Sequence, residues 1–135
     1  SVKRYEYVQA LRTSQFCLCP RGSRVWSPRF MEAVWFGCIP IIIADFYWLP
    51  QGCFWDWTNM ALIIPEADAH RTAEYVTRAL ADSAWIKRAR SQLMRVREHF
   101  MWNSPVVRPA DAFEMTLLEL WLRQGQCAQE LKKLR

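Results

Sequence analysis

Residues 16–45, FCLCPRGSRVWSPRFMEAVWFGCIPIIIAD, constrain this chain more than any other stretch. The short apolar segment Phe16-Cys17-Leu18-Cys19 is stopped by Pro20-Arg21-Gly22, which reads as a buried strand running into a basic loop. Ser27 and Pro28 then predict a helix start, with Ser27 as N-cap and Pro28 at the first helical position, where a missing N–H costs nothing. Gly37 predicts the helix end, and Cys38 to Ile43 is a continuous apolar run of the kind found in parallel strands covered on both faces. Strand, polar loop and helix N-terminus together make an anion site, because backbone N–H groups and the helix dipole point outward there. Arg21, Arg24 and Arg29 fall at that spot.

With 135 residues the chain has room for one cored domain, and 52% hydrophobic against 23% charged residues excludes a disordered or low-complexity protein. A net charge of +5 favours an anionic ligand. The uncharged stretch 33–44 is 12 residues long and contains Pro40, whereas a membrane span needs about 20. No signal-peptide h-region is visible, and the chain starts without Met, as a piece of a longer protein would. Five cysteines without a CxxC pair, with only His70 and His99 to supplement them, speak against a zinc site, so no metal is expected. Buried thiols suit Cys17 or Cys19 inside a strand, and disulfides are open if the protein is luminal.

Elsewhere, residues 5–13 predict an amphipathic helix with Tyr5, Val8 and Leu11 inward. The segment after Asp45, FYWLPQGCFWDWTNM, is an aromatic loop at the carboxyl end of the second strand, where ligands bind in open α/β sheets. Its rings either cap the sheet as a satellite core or stack on a base or sugar. Residues 61–65 predict a third strand. Asp68 then caps a helix with Ala69, Ala73, Val76 and Leu80 inward, and Ser83 opens another that buries Ile86, Ala89, Leu93, Val96 and Phe100. The outer side of that last helix holds Lys87, Arg88, Arg90, Arg95 and Arg97, either a solvated face or a surface for an acidic polymer. A final helix spans 110–124 through Phe113, Leu117, Leu120 and Trp121, with Gly125 as its stop. The order α-β-α-β-β-α-α-α predicts half of a doubly wound α/β architecture: one domain over 1–125 and a polar tail over 126–135.

Gly22 stands alone, so the G-x-G-x-x-G of a dinucleotide site is missing, although Asp45 falls 23 residues later, where a ribose-binding acid would lie. No GxxxxGK[ST] occurs either. Arginines can replace glycines and metals when the leaving group is a nucleoside diphosphate, since guanidinium groups and a helix N-terminus stabilise the charge on the β-phosphate. Glu32, one turn past Pro28, either accepts both hydroxyls of a ribose or only compensates the dipole at the helix start.

The run PRGSRVWSPRFMEAVWFGCIPIII (20–43) resembles the signature of exostosin-type glycosyltransferases. Residues 45–50 and Trp57 with the strand after it resemble later blocks of the same family, and the helices through Phe100 with Asp111-Ala112-Phe113 are similar to its plant and algal members. The resemblance implies the C-terminal, donor-binding Rossmann-like half of a GT-B fold. By position, Arg21, Gly22 and Ser27 would line the diphosphate, Arg29 would help neutralise it, and Glu32 would hold the ribose. It further implies inverting, metal-independent transfer from a UDP-sugar to a glycan acceptor in the Golgi lumen. No cofactor is implied beyond the UDP-sugar donor. The membrane anchor and an acceptor-side N-terminal domain would lie upstream, a homologous partner subunit is possible, and no nucleic-acid partner is expected. Retaining GT-B enzymes carry a second Glu eight positions before the ribose-binding one, and here that position is Arg24. The catalytic base is unassigned, with Asp45 and Asp56 as candidates at the loop edge. The alternative is a non-catalytic module of the same fold that binds a partner subunit or an acidic glycan.

Overall fold

The structure, a computed structural model, describes residues 4–124. Its element order is the expected one: α1 (Arg4–Thr13), β1 (Phe16–Pro20), α2 (Pro28–Phe36), β2 (Ile39–Ile43), β3 (Leu62–Ile64), α3 (Thr72–Ala81), α4 (Ser83–Val96) and α5 (Ala112–Arg123). Short 3-10 turns at Trp57–Asn59, Glu66–Arg71 and Arg97–Phe100 fill the connections. The strands form a parallel sheet in the order β1-β2-β3, with Pro20 opposite Ile43 and Ile43 opposite Ile64. All three carboxyl ends therefore meet along one edge.

The chain divides into two compact units. The first, Ser1–Tyr47 with Thr58–Arg97, holds the sheet and α1 to α4; the second, Trp48–Trp57 with Glu98–Arg135, holds most of the aromatic loop and α5.

In the first unit α2 sits on β1 and β2 through Phe30, Ala33 and Val34, all buried. Ser27 is the N-cap: its Oγ accepts the Arg29 N–H at 3.3 Å. Gly37 closes the helix at φ 71, a left-handed turn that suits glycine, with its N–H returned to Ala33 and Val34. Ile39, Ile41 and Ile42 of the central strand are buried, as a doubly covered strand requires. Cys17 and Cys38 form a disulfide, which pins β1 to the residue before β2. Cys17 is thus not the free buried thiol that its strand position allowed. Cys19 is: burial pushes its thiol up to about 12. Cys53 is also disulfide-bonded.

Several helix faces depart from the periodicity. In α1, Tyr5 is 72% exposed while Leu11 is buried and Tyr7 turns inward. Asp68 does not cap α3, because the 3-10 turn Glu66–Arg71 intervenes; its carboxylate instead accepts from Tyr75 Oη at 2.9 Å and pairs with Arg71. The buried residue of α3 is Ala79, and Leu80 faces out. In α4, Ile86, Ala89, Leu93 and Val96 are buried as expected. Phe100 is only partly covered and belongs to the second unit, where its ring lies 5.9 Å from Trp57.

The second unit corrects the reading of α5. Asp111 caps it, accepting the N–H groups of Phe113 and Glu114, and the helix buries Ala112, Met115 and Glu119. Phe113, Leu117, Leu120 and Trp121 all face solvent. The helix is apolar on most of its circumference, so periodicity did not choose a face; the hydrogen bonds of Glu119 do. Its carboxylate accepts from Trp48 Nε1 at 3.2 Å, from the Gln51 N–H at 3.1 Å and from Arg123. Gly125 and the 126–135 tail lie outside the described residues.

Candidate functional site

The carboxyl edge of the sheet gathers three charged residues, one just past each strand. Arg21 follows β1, and its backbone N–H still donates to Ile43 O at 2.9 Å, extending the ladder by one residue. Asp45 follows β2 and Glu66 follows β3. Glu66 Oε1 accepts from Arg21 Nη1 and from the Asp45 N–H, both at 3.0 Å, while the Glu66 N–H donates to Asp45 Oδ1 at 3.2 Å. The Asp45 N–H first, and Arg21 second, hold the Glu66 carboxyl below the usual carboxylate range. This contact is at full strength at neutral pH and is lost as pH falls through the lowered value.

A second group forms at the start of α2. Tyr7 Oη, from α1, donates to Glu32 Oε2, and the Arg29 guanidinium lies over the Tyr7 ring, 5.9 Å from its centroid. The hydrogen bond to Glu32 keeps the Tyr7 hydroxyl protonated above its usual value; burial and the Glu32 charge add to this, and Arg29 opposes it. With Tyr7 on one oxygen, the second carboxylate oxygen of Glu32 still has lone pairs for a ligand. Tyr47 rests edge-on against Phe30, 6.3 Å between centroids, and its buried hydroxyl has no hydrogen-bond partner.

Of the residues singled out from sequence, the structure joins Arg21 to Asp45 through Glu66, and Arg29 to Glu32 through Tyr7. The first amides of α2 are less free than the bare motif suggests. The Arg29 N–H is taken by Ser27 Oγ and the Phe30 N–H by Ser27 O at 3.1 Å. What this helix end offers an anion is its dipole field, the Ser27 hydroxyl proton and the nearby guanidinium groups. Gly22 lies in the open loop, where an added Cβ would meet nothing within 4 Å, and its N–H donates to Arg24 O at 3.1 Å. Arg24 itself is exposed. Asp56 lies on the surface of the second unit.

The aromatic loop is mainly a satellite core. The indole N–H groups of Trp48, Trp55 and Trp57 donate to Glu119, Gln51 Oε1 and Pro50 O, all within the second unit. Phe46, in the first unit, is the exception and is fully exposed. Tyr7 and Glu66 escaped the sequence reading. The signal for Glu66 was present: Pro65 closes the third strand just as Pro20 closes the first, and each is followed by a charged residue. Among the described residues no three His, Cys, Asp or Glu side chains cluster as metal ligands, and no helix is long and apolar enough to cross a membrane.

A short parallel α/β sheet with charged groups at its carboxyl edge, beside a capped helix start, is compatible with a Rossmann-like unit, and in open α/β sheets that edge is where ligands bind. A sequence model of the exostosin GT47 domain matches residues 1–80. A protein of Arabidopsis thaliana named "Probable glycosyltransferase" is 35% identical over 123 residues, which is 90% of this chain and 25% of that protein. Another of the same name and organism is 33% identical over 118 residues, 87% of this chain and 22% of that protein. A "Probable glucuronosyltransferase" of Oryza sativa subsp. japonica is 35% identical over 111 residues, 82% of this chain and 25% of that protein. The chain spans about a quarter of the length of these relatives. It belongs to the exostosin GT47 family.

Proposed function

We propose that this chain is the donor-binding part of a glycosyltransferase, the C-terminal half of a GT-B fold, and that it takes a UDP-sugar for inverting transfer to a glycan. The observation that carries the reading is the placement of Arg21, Ser27, Arg29 and Glu32 around one strand-loop-helix junction at the carboxyl edge of the sheet. As the bond from the anomeric carbon to the diphosphate breaks, negative charge grows on the β-phosphate. Arg21, Arg29 and the positive end of α2 stabilise that charge without a metal ion. Glu32, oriented by Tyr7, accepts the ribose hydroxyls, and Gly22 leaves the loop open for a phosphate to approach.

The acceptor enters from the opposite side of a cleft whose other wall, with the general base, is supplied by the remainder of the protein; the chain alone binds donor without turnover. The chain works in the Golgi lumen, anchored to the membrane through another segment of the protein; the Cys17–Cys38 disulfide suits an oxidising compartment of that kind. The second reading, a non-catalytic module holding an acidic glycan, is favoured by the exposed Lys87, Arg88, Arg90 and Arg95 along α4.

Calorimetric titration with UDP separates them. The donor reading expects saturable binding at submillimolar UDP and a loss on Glu32→Ala. Arg21→Ala should weaken binding by about 1.5–3 kcal/mol, the worth of a charge-assisted phosphate contact. A folded sample that ignores millimolar UDP, yet binds an acidic glycan with steep salt dependence, would establish the second reading instead.

A further inference from the structure

We propose that Phe46 is the platform on which the base of the nucleotide stacks. This rests on the donor reading and adds to it a base-recognising residue. Three observations converge on this side chain. Its ring is 102% exposed, where burial of a side chain of this size would be favourable. Its backbone has φ 55, a left-handed conformation that is an outlier for a bulky residue and that persists only where the surroundings impose it. Both neighbours supply that constraint: Asp45 is tied at its N–H and carboxylate to Glu66, and Tyr47 is seated against Phe30. Phe46 is therefore held outward between two fixed residues, at the carboxyl end of the central strand.

The position suits a base more than a phosphate. Arg21, the phosphate ligand of the donor reading, stands at the end of the neighbouring strand, which leaves Phe46 one strand away for the base. Base faces stack on aromatic rings with little demand on hydrogen-bond geometry. Trp26, in the loop before α2, is the other exposed aromatic of this junction and is 53% exposed. It lacks the left-handed backbone, and it serves as the comparison.

The test is calorimetry of the protein with UDP and with inorganic pyrophosphate, which lacks the base. Phe46→Ala is expected to weaken UDP binding roughly tenfold and to leave pyrophosphate binding within about twofold. Phe46→Trp should retain UDP affinity. Phe46→Asn removes the ring while suiting a left-handed backbone, so it should match Phe46→Ala and separate ring loss from loop rearrangement. Equal losses for UDP and pyrophosphate, or a UDP loss on Trp26→Ala but not on Phe46→Ala, would overturn the assignment. So would a shift in melting temperature with unchanged UDP affinity, which would make Phe46 a packing contact. If Phe46→Ala is silent while Glu32→Ala abolishes UDP binding, Phe46 is excluded and the donor reading stands. If the unaltered protein ignores UDP, both fall.

Discussion

Replacing Phe30 with alanine is expected to cost about 3–5 kcal/mol of stability, as for other fully buried aromatics. The ring is 1% exposed, sits in the first turn of α2 and supports Tyr47. A domain of this size has about 5–15 kcal/mol in total, so the loss removes a large share of it, about a fifth at the least. The same substitution frees the helix start that carries Ser27, Arg29 and Glu32. Ligand affinity should therefore fall with stability, although Phe30 itself presents no polar group. Urea unfolding checks the first part, with Phe30→Leu as a control expected to lose far less. A midpoint for Phe30→Ala close to that of the unaltered protein would mean that α2 is held by something other than this ring.

Removing the Cys17–Cys38 bridge should cost about 3 kcal/mol, from the loop entropy released across a 21-residue separation. The expected signature is a fall in Tm on the order of 10 °C for the double Cys→Ala variant. Reductant should produce at least that fall in the unaltered protein, since it also opens the Cys53 bridge, and in that variant only the part owed to Cys53. The disulfide spans the motif itself, from β1 to the residue before β2, so it fixes the frame in which the basic loop is closed. If reductant left Tm unchanged, the bridge would contribute nothing to the folded state, and the support it lends to a secretory compartment would go with it.

The sheet and the start of α2 were legible because the local signals are unambiguous. Ser27-Pro28 and Gly37 can do little else than open and close a helix, and the isoleucines of β2 admit only burial on both faces. Helix faces were harder. Where most of the circumference is apolar, as in α5, the face is chosen by hydrogen bonds from distant residues, and Glu119 reaching Trp48 and Gln51 leaves no trace in periodicity. The same holds for the site. Arg21 and Glu32 could be picked from the motif, but their partners Glu66 and Tyr7 are 45 and 25 residues away. The aromatic loop divided as well: its tryptophans satisfy their N–H groups within a satellite core, leaving Phe46 to solvent. Cysteine pairing was not legible either, since it depends on how parallel strands are placed side by side.

The most direct test of the donor site is an experimental structure of the protein with UDP bound. The diphosphate should lie within hydrogen-bond distance of Arg21 and the Ser27 hydroxyl, near the start of α2, with a ribose hydroxyl on the free oxygen of Glu32. A nucleotide bound away from the carboxyl edge of the sheet, or lying there with Arg21 still closed on Glu66 and Glu32 untouched, would contradict it.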